Sequence, residues 1–244
     1  INGWAFFDWA NSAYALTIAV AIFPNYYEAV TDGQVYDIFG VQLTNTALYS
    51  IALSSAYLLL LIISPFLSGI ADFGGKKMRF MKFFTYLGAA ACISLFFFES
   101  VEDTYLAILG FALATIGFAG GLVFYNSYLP DIATKDRYDK VSAKGFAFGY
   151  IGSVLLLIVN LAIILTPTTF GLDPDGSLQY RIAFAMVGIW WLGFSTIPFN
   201  RLPPDNTDAD DAQIIQKGLR KLHTVFKKVR GAVNIRRFLL SFFF

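Results

Sequence analysis

IFGVQLTNTALYSIALSSAYLLLLIISPFLSGIA, residues Ile38–Ala71, contains no Asp, Glu, Lys or Arg. A helix rising ~1.5 Å per residue needs ~20 mostly apolar residues to cross ~30 Å of hydrocarbon, and this run is long enough to do so. Five further uncharged runs share its character: Trp9–Tyr27, Phe83–Phe98, Thr104–Pro130, Gly145–Leu172 and Ile182–Asn200. Phe83–Phe98 is the shortest, and it reaches spanning length if Lys82 lies at its end with the ammonium drawn to the headgroups. A water-soluble domain has little use for six such runs, so the solvent of this chain is lipid. The composition agrees, with 57% hydrophobic, 18% aromatic and 14% charged residues and a mean hydropathy of +0.59.

The charges between the runs orient the chain. One set of gaps holds Lys76, Lys77, Arg79 and Lys82, then Lys135, Arg137, Lys140 and Lys144, and the segment after the sixth run adds Arg201 and a further series ending at Arg237. The other gaps hold Arg181 among Glu28, Asp32, Asp37, Glu99, Glu102, Asp103, Asp173 and Asp175. Lysines and arginines are retained in cytoplasmic loops, so the basic set is expected inside, both chain ends with it, and the number of spans is even. The net charge of +1 says nothing about partners, because the asymmetry between faces carries the signal.

The lone cysteine, Cys92, excludes an intrachain disulfide, and one His with one Cys leaves no structural zinc or haem set. No cofactor, metal or nucleic acid is expected; the expected partners are a small-molecule solute and the bilayer. The reading is an all-α membrane protein: a six-transmembrane-helix bundle over residues 1–200, a cytoplasmic linker over 201–236, and the start of a seventh span over 237–244. Spans are expected at about Trp4–Tyr27, Ala47–Ile70, Phe80–Phe98, Tyr105–Leu129, Val141–Leu165 and Ile182–Phe199, joined on the acidic side by short loops with turns at Asp32-Gly33 and Asp173-Pro174-Asp175-Gly176. In the linker, Ile215, Leu219, Leu222, Phe226, Val229 and Val233 alternate at steps of four and three, one face of a basic amphipathic helix. That helix is either a solvated connector between two halves or a surface element gripping lipid. Starting at Ile1 and ending in an apolar stretch, the chain reads as part of a longer protein.

Two segments carry candidate chemistry. Between the second and third spans lies Ser68-Gly69-Ile70-Ala71-Asp72-Phe73-Gly74-Gly75-Lys76-Lys77. Its glycines permit a tight turn, Asp72 can pair with cations or helix N-termini, and Lys76 and Lys77 can hold anionic headgroups. The loop either gates or merely fixes topology. The first span opens Trp4-Ala5-Phe6-Phe7-Asp8-Trp9-Ala10-Asn11-Ser12, placing Asp8, Asn11, Ser12, Ala15 and Ala19 on one face, with Tyr26 further along it. An ionisable side chain at membrane depth generally faces protein or water, so Asp8 either serves a solute or coupling site or caps the helix start. Tyr125 and Asn126 form a second polar cluster at the inner end of the fourth span. Asn160, deep in the fifth, is a hydrogen-bond former between helices or a solute contact. Gly145, Gly149 and Gly152, like Gly117 and Gly121, suit close helix approach.

The loop at Ser68–Lys77 resembles the signature loop of the major facilitator superfamily, with Ala71, Asp72, Gly75, Lys76 and Lys77 matching while Ser68 and Phe73 depart from it. FFDWANSAY at Phe6–Tyr14, NSYLPDIA at Asn126–Ala133 and VSAKGFAFGYIGS at Val141–Ser153 resemble its vacuolar-effluxer-like branch, whose eukaryotic members are linked to autophagy and amino-acid export. The resemblance implies the N-terminal half of a twelve-helix transporter, a second six-helix half as partner, first and fourth helices lining the central pathway, and placement in a bacterial plasma (inner) membrane. It implies secondary transport of a small polar solute, possible members being amino acids, by alternating access. The antiporter glycine-and-proline pattern of the fifth helix and the intramembrane arginine of the fourth are missing, leaving Asp8 as the acidic residue placed for coupling. The alternatives are a non-transporting receptor or scaffold on a transporter fold, or an intramembrane enzyme. The enzyme reading lacks His-Glu-x-x-His, Gly-x-Ser-x-Gly and clustered metal ligands, and no Walker lysine loop points to ATP.

Overall fold

The computed structural model describes residues 1–73 and 75–205, the side chains of 72 and 73 excepted. The expected linker helix and seventh span therefore lie outside the described residues, as do the Asp72 carboxylate and Gly74. Six helices among the described residues are long and apolar enough to cross a membrane. The first, α1, is a continuous rod over Asn2–Thr31. The others are α2 (Asn45–Phe73), α3 (Lys77–Ser94), α4 (Thr104–Ser127), α5 (Tyr138–Leu165) and α6 (Leu178–Arg201).

α1 is not uniform. It is α-helical over Asn2–Ala13 and Phe23–Thr31, and π-helical over Tyr14–Ile22. Pro24 accounts for the change of winding: its ring collides with the carbonyl four residues back and it offers no N–H, and a wider turn before it avoids that collision. Phe23 accordingly donates its N–H to Ile18 O, five residues back. Hydrophobic periodicity alone does not distinguish such a segment from an α-helix.

The connection from α1 to α2 differs from the expected plain loop. Val35–Ile38 (β1) and Val41–Thr44 (β2) pair as an antiparallel hairpin with Val35 opposite Thr44. Phe39 and Gly40 both take positive φ, 54° and 80°, as a two-residue hairpin turn with primed geometry requires. Tyr36 and Thr104 share a 2.9 Å hydroxyl contact that seats the hairpin on the start of α4. The uncharged stretch Ile38–Thr44 is thus strand and turn, and the second span begins at Asn45, two residues before the expected Ala47.

α1 packs on α5 and α6, α3 on α4 and α6, and α2 on α4. Small residues permit the closest approaches: Gly88 of α3 meets both the Trp191 ring and Gly117 of α4, and Gly188 of α6 meets Ile93 and the Ala89 carbonyl. The core is aromatic, with Tyr14, Phe23, Phe111, Phe184 and Trp191 fully buried and Phe23 stacked on Phe111 at 4.5 Å between centroids. Burial is uneven. In the apolar window of α1, 56% of residues are buried inside the protein, against 17% for α2 and 33% for α5. The broad apolar faces of α2 and α5 are therefore left for lipid or for another part of the protein.

Candidate functional site

The end of the bundle holding the basic loops begins with α1. Trp4, buried, donates its indole N–H to Tyr125 O at 2.9 Å and stacks on the Tyr125 ring at 4.1 Å. Phe7 stacks on the same ring at 5.0 Å. The polar start of α1 and the polar end of α4 therefore meet, as the sequence suggests. Asn126 does not join them, because its side chain is exposed.

Asp8 lies in the second turn of α1, 5% exposed, and makes no capping bond. Its Oδ1 accepts a hydrogen bond from Ser12 Oγ at 2.6 Å, one turn on. The pair rests on a glycine of the neighbouring helix: a Cβ at Gly149 would lie 2.8 Å from Ser12 Oγ and 2.9 Å from Asp8 Cγ. One turn earlier on α5, Gly145 receives the Tyr125 hydroxyl and the Trp4 ring, and one turn later Gly152 receives Trp9. Gly145, Gly149 and Gly152 thus form a backbone-only face on which a carboxylate, a phenol and two indoles are set. The Tyr125 hydroxyl itself finds no partner among the described residues. Beside this face α1 and α5 enclose a groove of about 270 Å³ lined by Ser12, Ala15, Leu16, Val20, Phe146, Gly149, Tyr150 and Ser153.

The remaining polar candidates lie apart from that pair. Asn11 turns toward α4, where a Cβ at Gly121 would stand 3.9 Å from its Oδ1, so the expected single stripe on α1 divides between two neighbours. Asn160 is fully buried, and both its amide atoms, like the Thr17 hydroxyl in the π-helical turn, lack partners among the described residues. The parallel register of Trp4 with Gly145 and Asp8 with Gly149, continued along the two helices, brings Asn160 level with that turn.

The loop before α3 carries Gly75 at φ 56°, a left-handed turn position. Lys77 reaches across to α4: its Nζ pairs with Asp131 Oδ2 at 2.7 Å and donates to Ser127 O at 2.8 Å. A residue that motif reading missed completes this end. Asp205, just past Pro203-Pro204, accepts the backbone N–H groups of Met78 and Arg79 at 2.7 and 2.9 Å, and so caps the N-terminus of α3 where a carboxylate is favoured by the helix dipole. Tyr128 donates to Pro203 O at 3.1 Å. At the opposite end Arg181 pairs with Glu99 at 2.9 Å and donates to Phe96 O at 2.6 Å. Because Asp131 is 41% exposed, its pair with Lys77 is worth at most ~1 kcal/mol. Asp131→Asn is expected to lower the unfolding temperature only slightly, and its loss combined with that of Lys77→Met to be less than additive; additive losses would show that the two side chains act separately.

Six spans capable of crossing a membrane, with a buried carboxylate on a glycine face, define a multi-pass integral membrane protein with a polar site inside its helical bundle. The whole chain, residues 1–244, matches the vacuole effluxer Atg22-like family, and it belongs to that family. It is 32% identical over all 244 residues to the uncharacterized MFS-type transporter YxiO of Bacillus subtilis (strain 168), covering 56% of that protein. It is 26% identical over 217 residues to autophagy-related protein 22 of Coccidioides immitis (strain RS), covering 66% of this chain and 34% of that one. The chain thus spans about half or less of the length of these relatives.

Proposed function

We propose that the full-length protein is a secondary transporter of a small polar solute, and that this bundle is one of two halves that rock about a site near the middle of the membrane. The observation that carries the reading is Asp8. Among the described residues it is the one charged side chain in the buried set, and an ionisable group at membrane depth marks a solute or ion path. Its carboxylate is a fitting counter-ion for the ammonium group of an amino acid or for a coupling proton. Ser12, Tyr125 and the α1–α5 groove supply polar contacts beside it, and Asn11 and Asn160 are further amide candidates. Amino-acid export is the finer proposal, supported by the effluxer family to which the chain belongs.

A second six-helix half packing on the apolar faces of α2 and α5 accounts for their exposure and for the greater length of the relatives. On this reading the basic loops and both ends of the bundle's chain face the cytoplasm of a bacterial cell, as the retention of Lys and Arg on that side favours, and Asp72, Gly75, Lys76 and Lys77 act there as a gate with Asp131. The reading is tested by reconstituting the full-length protein in proteoliposomes and measuring counterflow of an amino-acid and sugar panel. Saturable flux of at least one amine-bearing solute is expected. No flux for any of them, with a protein partner still bound, would establish the scaffold reading instead.

A further inference from the structure

We infer that the bundle holds internal water in a polar layer between α1, α3, α4 and α6, bound by Asn11, Thr85 and Ser195. Three helix contacts define a reference level: Tyr14 stacks on Trp191 at 6.0 Å, Gly88 meets the Trp191 ring, and Gly117 meets Gly88. One helical turn toward the basic end, three or four residues along each helix, stand Asn11 on α1, Thr85 on α3, Ser195 on α6 and Gly121 on α4. The proximity of Gly121 to Asn11 Oδ1, 3.9 Å from a Cβ built on the glycine, confirms the level independently.

All three polar side chains are 0% exposed. Neither amide atom of Asn11 nor the hydroxyls of Thr85 and Ser195 has a hydrogen-bond partner among the described residues, and the indole N–H of Trp191, at the reference level, is likewise unpartnered. Leaving such groups dry forfeits the hydrogen bonds they make to water in the unfolded chain, so three side chains unpaired at one level would weigh heavily on a marginally stable fold. Buried polar groups that do not reach one another are characteristically joined by water, which needs two to four polar partners. The layer offers an amide that donates and accepts and two hydroxyls that do either. It contains no charge, so an ion has no counter-charge there, and water matches the donor and acceptor set. This site is separate from the Asp8–Ser12 pair and does not depend on the transport reading.

The sign of the stability change distinguishes a wet layer from a dry one. Thermal unfolding of the purified full-length protein is compared for Thr85→Val, Ser195→Ala, Asn11→Leu and their combinations. If the side chains share water, Thr85→Val and Ser195→Ala each lower Tm by roughly 2–4 °C, the double variant loses less than the sum, and the triple variant regains most of the loss because no polar group is left stranded. If they are packed dry, each substitution raises Tm or leaves it unchanged and the effects add, which would overturn the proposal. Should Asn11→Leu fail to fold, the Thr85–Ser195 cycle decides alone.

Discussion

Asp8→Asn is expected to abolish gradient-driven solute movement by the full-length protein without reducing its abundance in the membrane. The carboxylate is buried, bonded among the described residues to the Ser12 hydroxyl at 2.6 Å, and pressed against Gly149, so asparagine fits the same space but removes the charge. Removing one partner of a buried charge pair costs ~3–5 kcal/mol, which corresponds to a loss on the order of 10²-fold or more in the affinity for a cationic group. The form of the defect separates the two roles open to Asp8. If it holds a coupling proton, exchange of solute across the membrane survives while accumulation is lost; if it holds the solute's ammonium, both disappear. Ser12→Ala removes one hydrogen bond to a charged group and is expected to be milder, ~1.5–3 kcal/mol. Transport by Asp8→Asn with unchanged rate and unchanged pH dependence would remove Asp8 from the mechanism.

The second large effect is structural. A Cβ at Gly117 would lie 2.5 Å from both N and Cα of Gly88 and 2.7 Å from Phe84 O. Those atoms are backbone, so no side-chain rotation relieves the clash, and α3 and α4 must separate. Gly117→Ala is expected to destabilise by ~1–3 kcal/mol, and Gly117→Leu to prevent recovery of a monodisperse species in detergent. Gly193→Ala is the matched control, since nothing lies within 4 Å of its Cβ position. Size-exclusion profiles and unfolding temperatures measured side by side check both; an unaffected Gly117→Leu would mean that this helix contact is not the one the protein uses.

The spans are legible because charge is so costly in hydrocarbon that a long uncharged run marks the middle of each helix, although the helices continue past the charges that bound the runs. That same criterion could not see the hairpin at Val35–Thr44, since a short uncharged strand and the start of an apolar helix look alike without a neighbour to pair with. The glycine face of α5 was readable as Gly145, Gly149 and Gly152 at helical spacing, and the structure gives it specific tenants in Tyr125, Asp8 and Trp9. The meeting of Trp4 with Tyr125 agrees with what the resemblance implies, that the first and fourth helices line one pathway. Asn126, adjacent in sequence to Tyr125, turns outward instead, because neighbouring helical positions are separated by ~100°. Thr85 and Ser195 carry no signal in the sequence: each is a single small hydroxyl in an apolar helix, and only the register between helices distant in sequence brings them level. Asp205 belongs to no motif, and only its place directly after Pro203-Pro204 delivers it to the start of α3.

α3 is fastened at both extremities. At one, Asp205 grips its first N–H groups and Lys77 ties it to Asp131; at the other, Arg181 clasps Phe96 O and Glu99. These ties join α3 to α6 and its continuation at both ends, and to the end of α4 at the basic one, so sliding of α3 along α6 would break contacts at both extremities. α3 is therefore expected to travel with α6 rather than along it.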